Sequence, residues 1–548
     1  MARPGGRPDA PDAPDAPAGA GPALTGTTVV VGGGIAGLAA AWELASGPRA
    51  PGARVVVLEA SDRLGGKIRT DTVAGRSVDL GPDAFLARRP EALQLAREVG
   101  LGDELVAPGS RRAYVWSRGR LRPLPDGLAL GIPTRLGPVV RSGILSPKGL
   151  ARAGVDLLAM SPAWRRRHRP RPAGPDAVLP FDDRAVGDIV RMSLGREVVD
   201  RFVDPLIGGI HAGPVATMSA AAVYPPLLAA SKRPGSLFRA LRALTPAPAA
   251  VVGGAAPAVF LAPREGVGAL VGALADALAA QGVELRCAAT ASALEPLRTG
   301  DSGDSGDSGD SGDSGDSGGN EPRWRVHVSD GDGASSTIEA HRVVVAVPAP
   351  AAAALLQPAD DVLGRLLRTI DYASVTVATY VVPSDAVGRV LDGTGFLVPG
   401  VEGWLTTACT WMTAKWPHLA RPGEVVLRAS VGRFGDERGM DMSDDELATA
   451  VWRELTPVLS LSGTPTTTVV TRWAGAFPQY AIGHLDLVDR IEAHAGALGG
   501  LAVAGAAYRG VGIPACIASG RRAARLATGA AAARAGTTGE GMALQAGG

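Results

Sequence analysis

The sequence predicts an α/β fold in which one domain is assembled from separate stretches of the chain. Val29 to Leu38 has the pattern of a buried strand, a tight glycine turn and the start of a helix. A second glycine-rich segment, Gly505 to Pro514, leads into another helix near the opposite end. Between them, His341 to Pro348 is continuously apolar before a proline, which is typical of a buried parallel strand. We therefore expect a discontinuous domain and a second domain, built from the intervening blocks, that faces it.

Length, charge and cysteine content narrow the class of protein. A chain of 548 residues is too long for one typical core, so two or three domains are expected. With 55 basic and 54 acidic residues, the chain carries no overall field that would attract nucleic acid or an anionic membrane. The three cysteines, Cys287, Cys409 and Cys516, are far apart, which argues against a disulfide framework and a zinc site. This cysteine usage is consistent with the reducing cytoplasm. The longest uncharged stretch, residues 243–263, is interrupted by prolines and a glycine pair, so no transmembrane segment is predicted.

Several segments have compositions that cannot bury a core. Residues 1–23 read as a disordered extension and residues 531–548 as a flexible tail. Six Asp-Ser-Gly units over 301–318 predict a flexible acidic loop between two strands. The basic run at 165–169 is interpreted as a solvated loop, although its neighbouring apolar helix leaves peripheral membrane contact open.

The first glycine segment has the spacing of a dinucleotide-binding turn. Gly32 permits the tight turn, Gly34 lets the backbone approach a pyrophosphate, and Gly37 allows close packing of helix and strand. Glu59 ends the next predicted strand, where an acidic side chain accepts hydrogen bonds from ribose hydroxyls. The second glycine segment favours FAD, because this long molecule needs its diphosphate at one helix N-terminus and its isoalloxazine near another.

Further segments carry a family resemblance. Leu58-Glu59-Ala60 followed by Gly65-Gly66-Lys67 resembles the second motif of flavin amine oxidases, phytoene desaturases and porphyrinogen oxidases. Within that group, five segments are similar to the protoporphyrinogen and coproporphyrinogen oxidase family: residues 81–90, 205–213, 414–417, 478–484 and 507–520. The resemblance covers about residues 24–530 and is closest to the soluble enzymes of Gram-positive bacteria that act on coproporphyrinogen III.

The resemblance implies a glutathione-reductase-like, Rossmann-type FAD domain, a mixed α+β substrate domain and a helical subdomain. The FAD domain is expected over 24–95, 255–350 and 485–530, the substrate domain over 96–110, 205–254 and 351–484, and the helical subdomain over 111–204. The FAD is expected to be noncovalent. Its implied contacts are Gly32, Gly33, Gly34, Ile35, Ala36, Gly37, Glu59, Ala60, Lys67, Gly81, Pro82, Asp83, Ala84, Ala291, Ala506, Val511, Gly512 and Ile513.

The implied reaction is the oxygen-dependent, six-electron oxidation of coproporphyrinogen III to coproporphyrin III in heme biosynthesis, with release of H2O2. No catalytic side chain and no metal are expected, because the flavin itself abstracts hydride. Arg88 and Arg89 are candidates for binding propionates, with a solvated helix start as the alternative. The candidates for the walls of an apolar chamber are Tyr372, Phe396, Trp411 and Trp473.

Other functions remain open at this point. Protoporphyrinogen IX is the alternative substrate, and an amine or carotenoid oxidase would use the same fold. A non-catalytic binding protein on this scaffold is the third possibility, although it would not need two intact glycine segments. The sequence does not indicate the oligomeric state or the physiological electron acceptor.

Overall fold

The computed structural model describes residues 23–158, 183–244, 258–297 and 323–529. Four of the predicted segments therefore fall wholly or almost wholly outside the described residues: the N-terminal extension, the basic run at 165–169, the Asp-Ser-Gly repeat and the C-terminal tail. None of the helices within the described ranges combines the length and the apolar character that a membrane span requires.

A five-stranded parallel sheet forms the centre of the first domain. In spatial order its strands are Glu284–Arg286, Arg54–Leu58, Thr27–Val31, Arg342–Val345 and Leu501–Val503. Consecutive valines point to opposite faces, so that Val30 packs in one core and Val29 in the other. Both faces are buried, which explains the uninterrupted apolar runs in the sequence. The prediction of an α/β fold with a discontinuous domain is confirmed, since the strands come from the start, the middle and the end of the chain.

Different elements cover the two faces of this sheet. The helices Ile35–Ser46, Gly268–Ala280 and Ile513–Ala527 pack on one face. The other face carries three helices and a three-stranded antiparallel sheet: Ala349–Leu356, Asp361–Arg368, His484–Ala497, and the strands Ala289–Pro296, Trp324–Asp330 and Ser335–Ala340. The first two of these strands flank the Asp-Ser-Gly repeat, as predicted, and they pair with each other.

A seven-stranded sheet forms the second domain. Its strands in spatial order are Thr467–Pro478, Tyr372–Pro383, Glu424–Val431, Thr406–Trp411, Gly395–Leu397, Tyr114–Ser117 and Arg120–Pro123. The helix Asp444–Leu459 covers one face and begins with a capping box between Ser443 and Glu446. The opposite face is directed toward the first domain, because Val381 and Val426 belong to the same core as the helix Ile35–Ser46.

Helices from two parts of the chain share a third core. They are Leu136–Ser142, Pro147–Leu158, Val186–Leu194, Arg196–Val198, the π-helix Val199–Gly208, Gly209–His211, Ala220–Val223, Pro225–Lys232 and Leu237–Leu244. The expectation of a helical segment from residue 111 onward needs correction, because the strand Tyr114–Ser117 pairs with Gly395–Leu397 and joins the seven-stranded sheet. The domain boundaries themselves stay a proposal.

Short elements connect these units. The remaining strands are Thr70–Val73, Arg76–Asp79, Phe85–Leu86, Leu105–Val106, Leu128–Ala129, Ile132–Pro133 and Phe260–Pro263. The remaining helices are Pro90–Glu98, Met412–Lys415 and Arg438–Asp441, with 3₁₀ turns at Gly102–Glu104, Ser384–Ala386, Gly400–Glu402 and Pro417–Leu419.

Candidate functional site

The first glycine turn needs its glycines for three different physical reasons. Gly32 has a φ of +108°, and a Cβ there would lie 2.8 Å from the carbonyl oxygen of Ala346. A Cβ on Gly37 would lie 1.9 Å from the carbonyl oxygen of Gly32, so the helix packs directly on the turn. A Cβ on Gly34 would meet no atom within 4 Å. Gly34 therefore borders open space, as a ligand-binding position requires.

The open space lies at the start of the helix Ile35–Ser46. The first amide with an intrahelical partner is that of Leu38, which donates to the carbonyl oxygen of Gly34 at 2.9 Å. The preceding helix amides have no acceptor among the described residues and lie at the positive end of the helix dipole, and no acidic side chain occupies the first turn. This arrangement fits a diphosphate, as the sequence predicted for this turn.

Glu59 lies beside the turn at the end of the strand Arg54–Leu58. Its Oε2 accepts a hydrogen bond from the amide of Gly33 at 2.7 Å, and its Oε1 accepts from the amide and hydroxyl of Ser61 at 2.9 and 2.7 Å. A carboxylate has about four acceptor positions, so capacity remains for ribose hydroxyls. Glu59 also stabilises the glycine turn, a contact that sequence spacing did not reveal. The adjacent Ala60 is exposed.

The second motif packs directly on the first. The amide of Gly65 donates to the carbonyl oxygen of Gly33 at 2.8 Å, and a Cβ on Gly66 would lie 3.3 Å from the Cα of Gly34. The following Lys67 places its Nζ 5.9 Å from the ring centroid of Tyr372. Burial lowers the pKa of Lys67, and none of the described residues forms an ion pair with it.

The C-terminal glycine segment is joined to the first segment by two helices in backbone contact. A Cβ on Gly520, in the helix Ile513–Ala527, would lie 2.0 Å from the carbonyl oxygen of Ala36. Gly512 is the N-cap of this helix.

Cys516 is buried in the first turns of the helix Ile513–Ala527, where burial raises the pKa of the thiol to about 11, although Lys67 opposes the shift. Cys516 is therefore a neutral thiol at physiological pH.

Tyr480 links the two ends of the C-terminal loop, and the sequence did not identify it as a functional residue. Its hydroxyl donates to the carbonyl oxygen of Ala506 at 2.6 Å and accepts from the amide of Gly510 at 2.8 Å. Its ring stacks on His484 with centroids 3.9 Å apart, and His484 Nε2 lies 2.8 Å from the carbonyl oxygen of Tyr508. His484 thus has a structural role. The family resemblance of residues 478–484 was the feature of the sequence that could have indicated Tyr480.

The segment Asp79–Ala84 lies against the seven-stranded sheet. Arg428 Nη1 donates to the carbonyl oxygens of Asp79 and Gly81 at 2.7 and 3.0 Å, and Trp473 Nε1 donates to that of Leu80 at 3.0 Å. Among the described residues, the amides of Gly81, Asp83 and Ala84 donate no hydrogen bond. Since Pro82 has no amide hydrogen, every amide donor of the segment 81–84 is free for a ligand.

The side chain of Asp83 is held by the same sheet. Its Oδ2 accepts from Lys415 Nζ at 2.7 Å and from Trp416 Nε1 at 3.3 Å, while its Oδ1 lies 3.5 Å from Arg428 Nη2. Burial opposes ionisation of this carboxyl, but Lys415 and Arg428 together hold its pKa well below the usual range. Sequence reasoning missed Lys415 and Arg428. The signal for Arg428 was a charged residue in the middle of an otherwise apolar strand.

Some predicted residues lie apart from this cluster. Arg88 and Arg89 are exposed just before the helix Pro90–Glu98, and the Nη1 of Arg89 lies 3.8 Å from Glu91. Their contact with substrate stays a prediction, as does the FAD contact of Ala291, which is half-buried beside a bulge in its strand. Among the candidate wall residues, Phe396 and Trp411 are buried in the core on the far face of the seven-stranded sheet.

Comparison with known proteins identifies relatives along most of the chain. Residues 35–528 match the family model described as flavin containing amine oxidoreductase. A coproporphyrinogen III oxidase of Bacillus subtilis (strain 168) is 30% identical over 498 residues, covering 90% of this chain and 96% of that protein. One from Propionibacterium freudenreichii subsp. freudenreichii is 35% identical over 535 residues, covering 90% and 89%.

A solved structure gives a similar result. The crystal structure of a protein from Exiguobacterium sp. 255-15, named for protoporphyrinogen oxidase, aligns with a TM-score of 0.73 at 29% sequence identity. The alignment covers 92% of this chain and 99% of that one. The predicted family resemblance and the predicted flavin cofactor are confirmed by these matches.

Proposed function

The chain belongs to the family of flavin containing amine oxidoreductases, and from this membership we propose that it oxidises coproporphyrinogen III to coproporphyrin III. The observation that carries the proposal is 30% to 35% identity, over about nine tenths of the chain, to proteins named coproporphyrinogen III oxidase. The FAD-binding features retained in the structure support an active enzyme. A binding protein without chemistry would not need both glycine segments.

We propose that FAD binds in an extended form along the sheet of the first domain. Its diphosphate would lie at the helix Ile35–Ser46, its ribose at Glu59, and its isoalloxazine between the segment 81–84 and the C-terminal segment 506–513. The unpaired amides at the first helix and in the segment 81–84 support this arrangement. When bound, FAD supplies a two-electron acceptor that dioxygen can reoxidise.

The stoichiometry of the proposed reaction defines which molecules the active site must bind. Coproporphyrinogen III loses six hydrogen atoms in three two-electron steps, and three O2 become three H2O2. The chain supplies binding and electrostatics for these steps. Lys67 is half-buried near Cys516 and Tyr372 and forms no ion pair with the described residues, and in its protonated form it would favour negative charge in a bound ligand. Cys516 stays protonated and neutral there.

The test of the substrate is aerobic turnover of coproporphyrinogen III and protoporphyrinogen IX by the purified protein, followed by porphyrin fluorescence and peroxide formation. We expect the larger kcat/KM with coproporphyrinogen III and one H2O2 for each pair of electrons. A larger kcat/KM with protoporphyrinogen IX would reject this substrate assignment in favour of the name carried by the Exiguobacterium structure.

Two further outcomes address the other classes of function. Purified protein without flavin absorbance would reject the enzyme assignment and favour a binding protein. Anaerobic bleaching of the flavin by amines or carotenoids, but not by porphyrinogens, would favour an oxidase of a different substrate class. Within the proposal the enzyme works in the cytoplasm, and its three free cysteines agree with a reducing compartment.

A further inference from the structure

The segment Asp79–Ala84 is attached at four points to the seven-stranded sheet and to the short helix that follows one of its strands. The carbonyl oxygens of Asp79 and Gly81 accept from Arg428, and that of Leu80 accepts from Trp473. The fourth point is the Asp83 carboxylate, which accepts from Lys415. All these donors belong to the seven-stranded sheet or to the short helix that follows one of its strands. These contacts attach the segment to the second domain, while the amide of Leu80 and the carboxylate of Asp79 keep it bonded to the first.

The orientation of the backbone makes this attachment relevant to the cofactor. The carbonyl oxygens and the Asp83 carboxylate of the segment accept hydrogen bonds from the second domain. The amides of Gly81, Asp83 and Ala84 have no partner among the described residues. Unpaired backbone amides are the groups that bind anions and flavin oxygens in such sites. The sheet thus holds one side of the segment while the other side is available to FAD.

The charges in this cluster are largely buried, with two cations, Lys415 and Arg428, facing the one carboxylate of Asp83. Arg428 and Asp83 are each 9% exposed, so neither is neutralised by solvent. Asp83 keeps its negative charge because two cations face it. Both oxygens of this carboxylate face these cations, which directs the side chain toward Lys415 and Arg428.

We propose that Lys415 and Arg428 are positioning residues for the FAD site, and that Asp83 acts through them rather than through contact of its carboxylate with FAD. The two cations hold the segment 81–84 so that its amides face the flavin. The inference rests on the proposed FAD site, but it does not depend on which porphyrinogen is oxidised.

The chain contains a matched control on the same strand. Arg76, from the hairpin that precedes the segment, is buried and forms an ion pair with the partly exposed Glu424, which lies four residues before Arg428. This pair also joins the two domains, yet neither side chain forms a hydrogen bond with the described residues 79–84. Glu424→Gln therefore weakens the domain contact without releasing the segment.

The experiment titrates FAD into flavin-depleted full-length variants and follows flavin fluorescence and the visible absorption band. We expect Lys415→Met and Arg428→Gln each to weaken FAD binding by about tenfold or more, as expected for losing a charge-assisted hydrogen bond, and to change the band shape. Glu424→Gln should match the wild type. Lys415→Arg should restore most of the affinity, because it keeps the cation.

A double variant tests how Asp83 acts. Asp83→Asn combined with Lys415→Met removes the buried charge and its partner together, so this protein should bind FAD better than Lys415→Met alone. The inference is overturned if Asp83→Asn abolishes FAD binding while Lys415→Met and Arg428→Gln retain it, since the carboxylate would then contact FAD directly. It is also overturned if all cluster variants behave like Glu424→Gln. Because no porphyrinogen is present, neither result bears on the substrate assignment.

Discussion

Gly520 and Ala36 bring the two ends of the chain into backbone contact, with the position of a Cβ on Gly520 only 2.0 Å from the carbonyl oxygen of Ala36. The two residues belong to the helices that follow the two glycine segments. One FAD site can use both segments because these helices approach closely. This contact leads to the first prediction.

Gly520→Ala should destabilise the protein, although alanine is the better helix former. The intrinsic gain of about 1 kcal/mol is outweighed by overpacking against backbone, which costs about 1–3 kcal/mol or more. Thermal unfolding of the variant should show a lower Tm and earlier release of flavin. The control is Gly496→Ala in the helix His484–Ala497, where a Cβ meets no atom within 4 Å, and its Tm should be unchanged or higher. Equal Tm values for the two variants would contradict the prediction.

Gly34→Ala should separate ligand binding from folding. The backbone of Gly34 has a φ of −71° and its Cβ position is open, so alanine fits the protein but enters the space assigned to the diphosphate. We expect folded protein with at least about tenfold weaker FAD binding, measured by fluorescence titration. Gly37→Ala should instead lower the yield of folded protein, because its Cβ would collide with the carbonyl oxygen of Gly32. Full FAD affinity in Gly34→Ala would argue against this diphosphate position.

Tyr480→Phe should loosen the C-terminal loop. Removing the hydroxyl leaves the carbonyl oxygen of Ala506 and the amide of Gly510 without this partner, at a cost of about 1–3 kcal/mol. Urea unfolding and the rate of FAD dissociation measure the effect. Tyr508→Phe is the matched control, because the Tyr508 hydroxyl is buried without a partner in the described residues, and its loss should be neutral or stabilising. A larger effect from Tyr508→Phe would indicate that its hydroxyl has a partner in the bound state.

Asp79 should make the protein less stable as pH rises from about 4 to 6. Burial raises the pKa of its carboxyl to about 6, above the unfolded value of 3.8, so the folded state binds the extra proton in this range. This increase in pKa corresponds to roughly 3 kcal/mol, and the penalty is complete at about pH 7, once the folded carboxyl has fully ionised. Asp79→Asn keeps an acceptor for the amide of Val267 and should remove this dependence.

The readout for Asp79 is the difference in unfolding free energy between Asp79→Asn and the wild type, followed across pH 4 to 7. A difference is needed because burial lowers the pKa of His211 to about 4, which makes stability rise with pH in the same range. We expect the advantage of the variant to grow as pH rises. A constant difference would show that the folded protein does not hold Asp79 protonated.

The sequence alone predicted the parts of the fold that depend on local pattern. Glycine spacing identified the turn at Gly32, and continuous apolar runs identified buried parallel strands such as Arg342–Val345. Short motifs also indicated the family, because each depends on residues that are close together in the chain. The helical subdomain that the resemblance implied from residue 111 begins instead with the strand Tyr114–Ser117, whose partner lies far away at Gly395–Leu397.

Only the tertiary structure decided which distant residues act together. Asp83 meets Lys415 and Arg428 across more than 300 residues of chain, and no local periodicity records that contact. The same holds for Gly520 against Ala36 and for Tyr480 across the loop from Ala506 to Gly510. A sequence pattern indicates which face of a helix or strand is apolar. The residue that pairs with a buried charge, or that packs against a glycine, is set by how whole elements pack together.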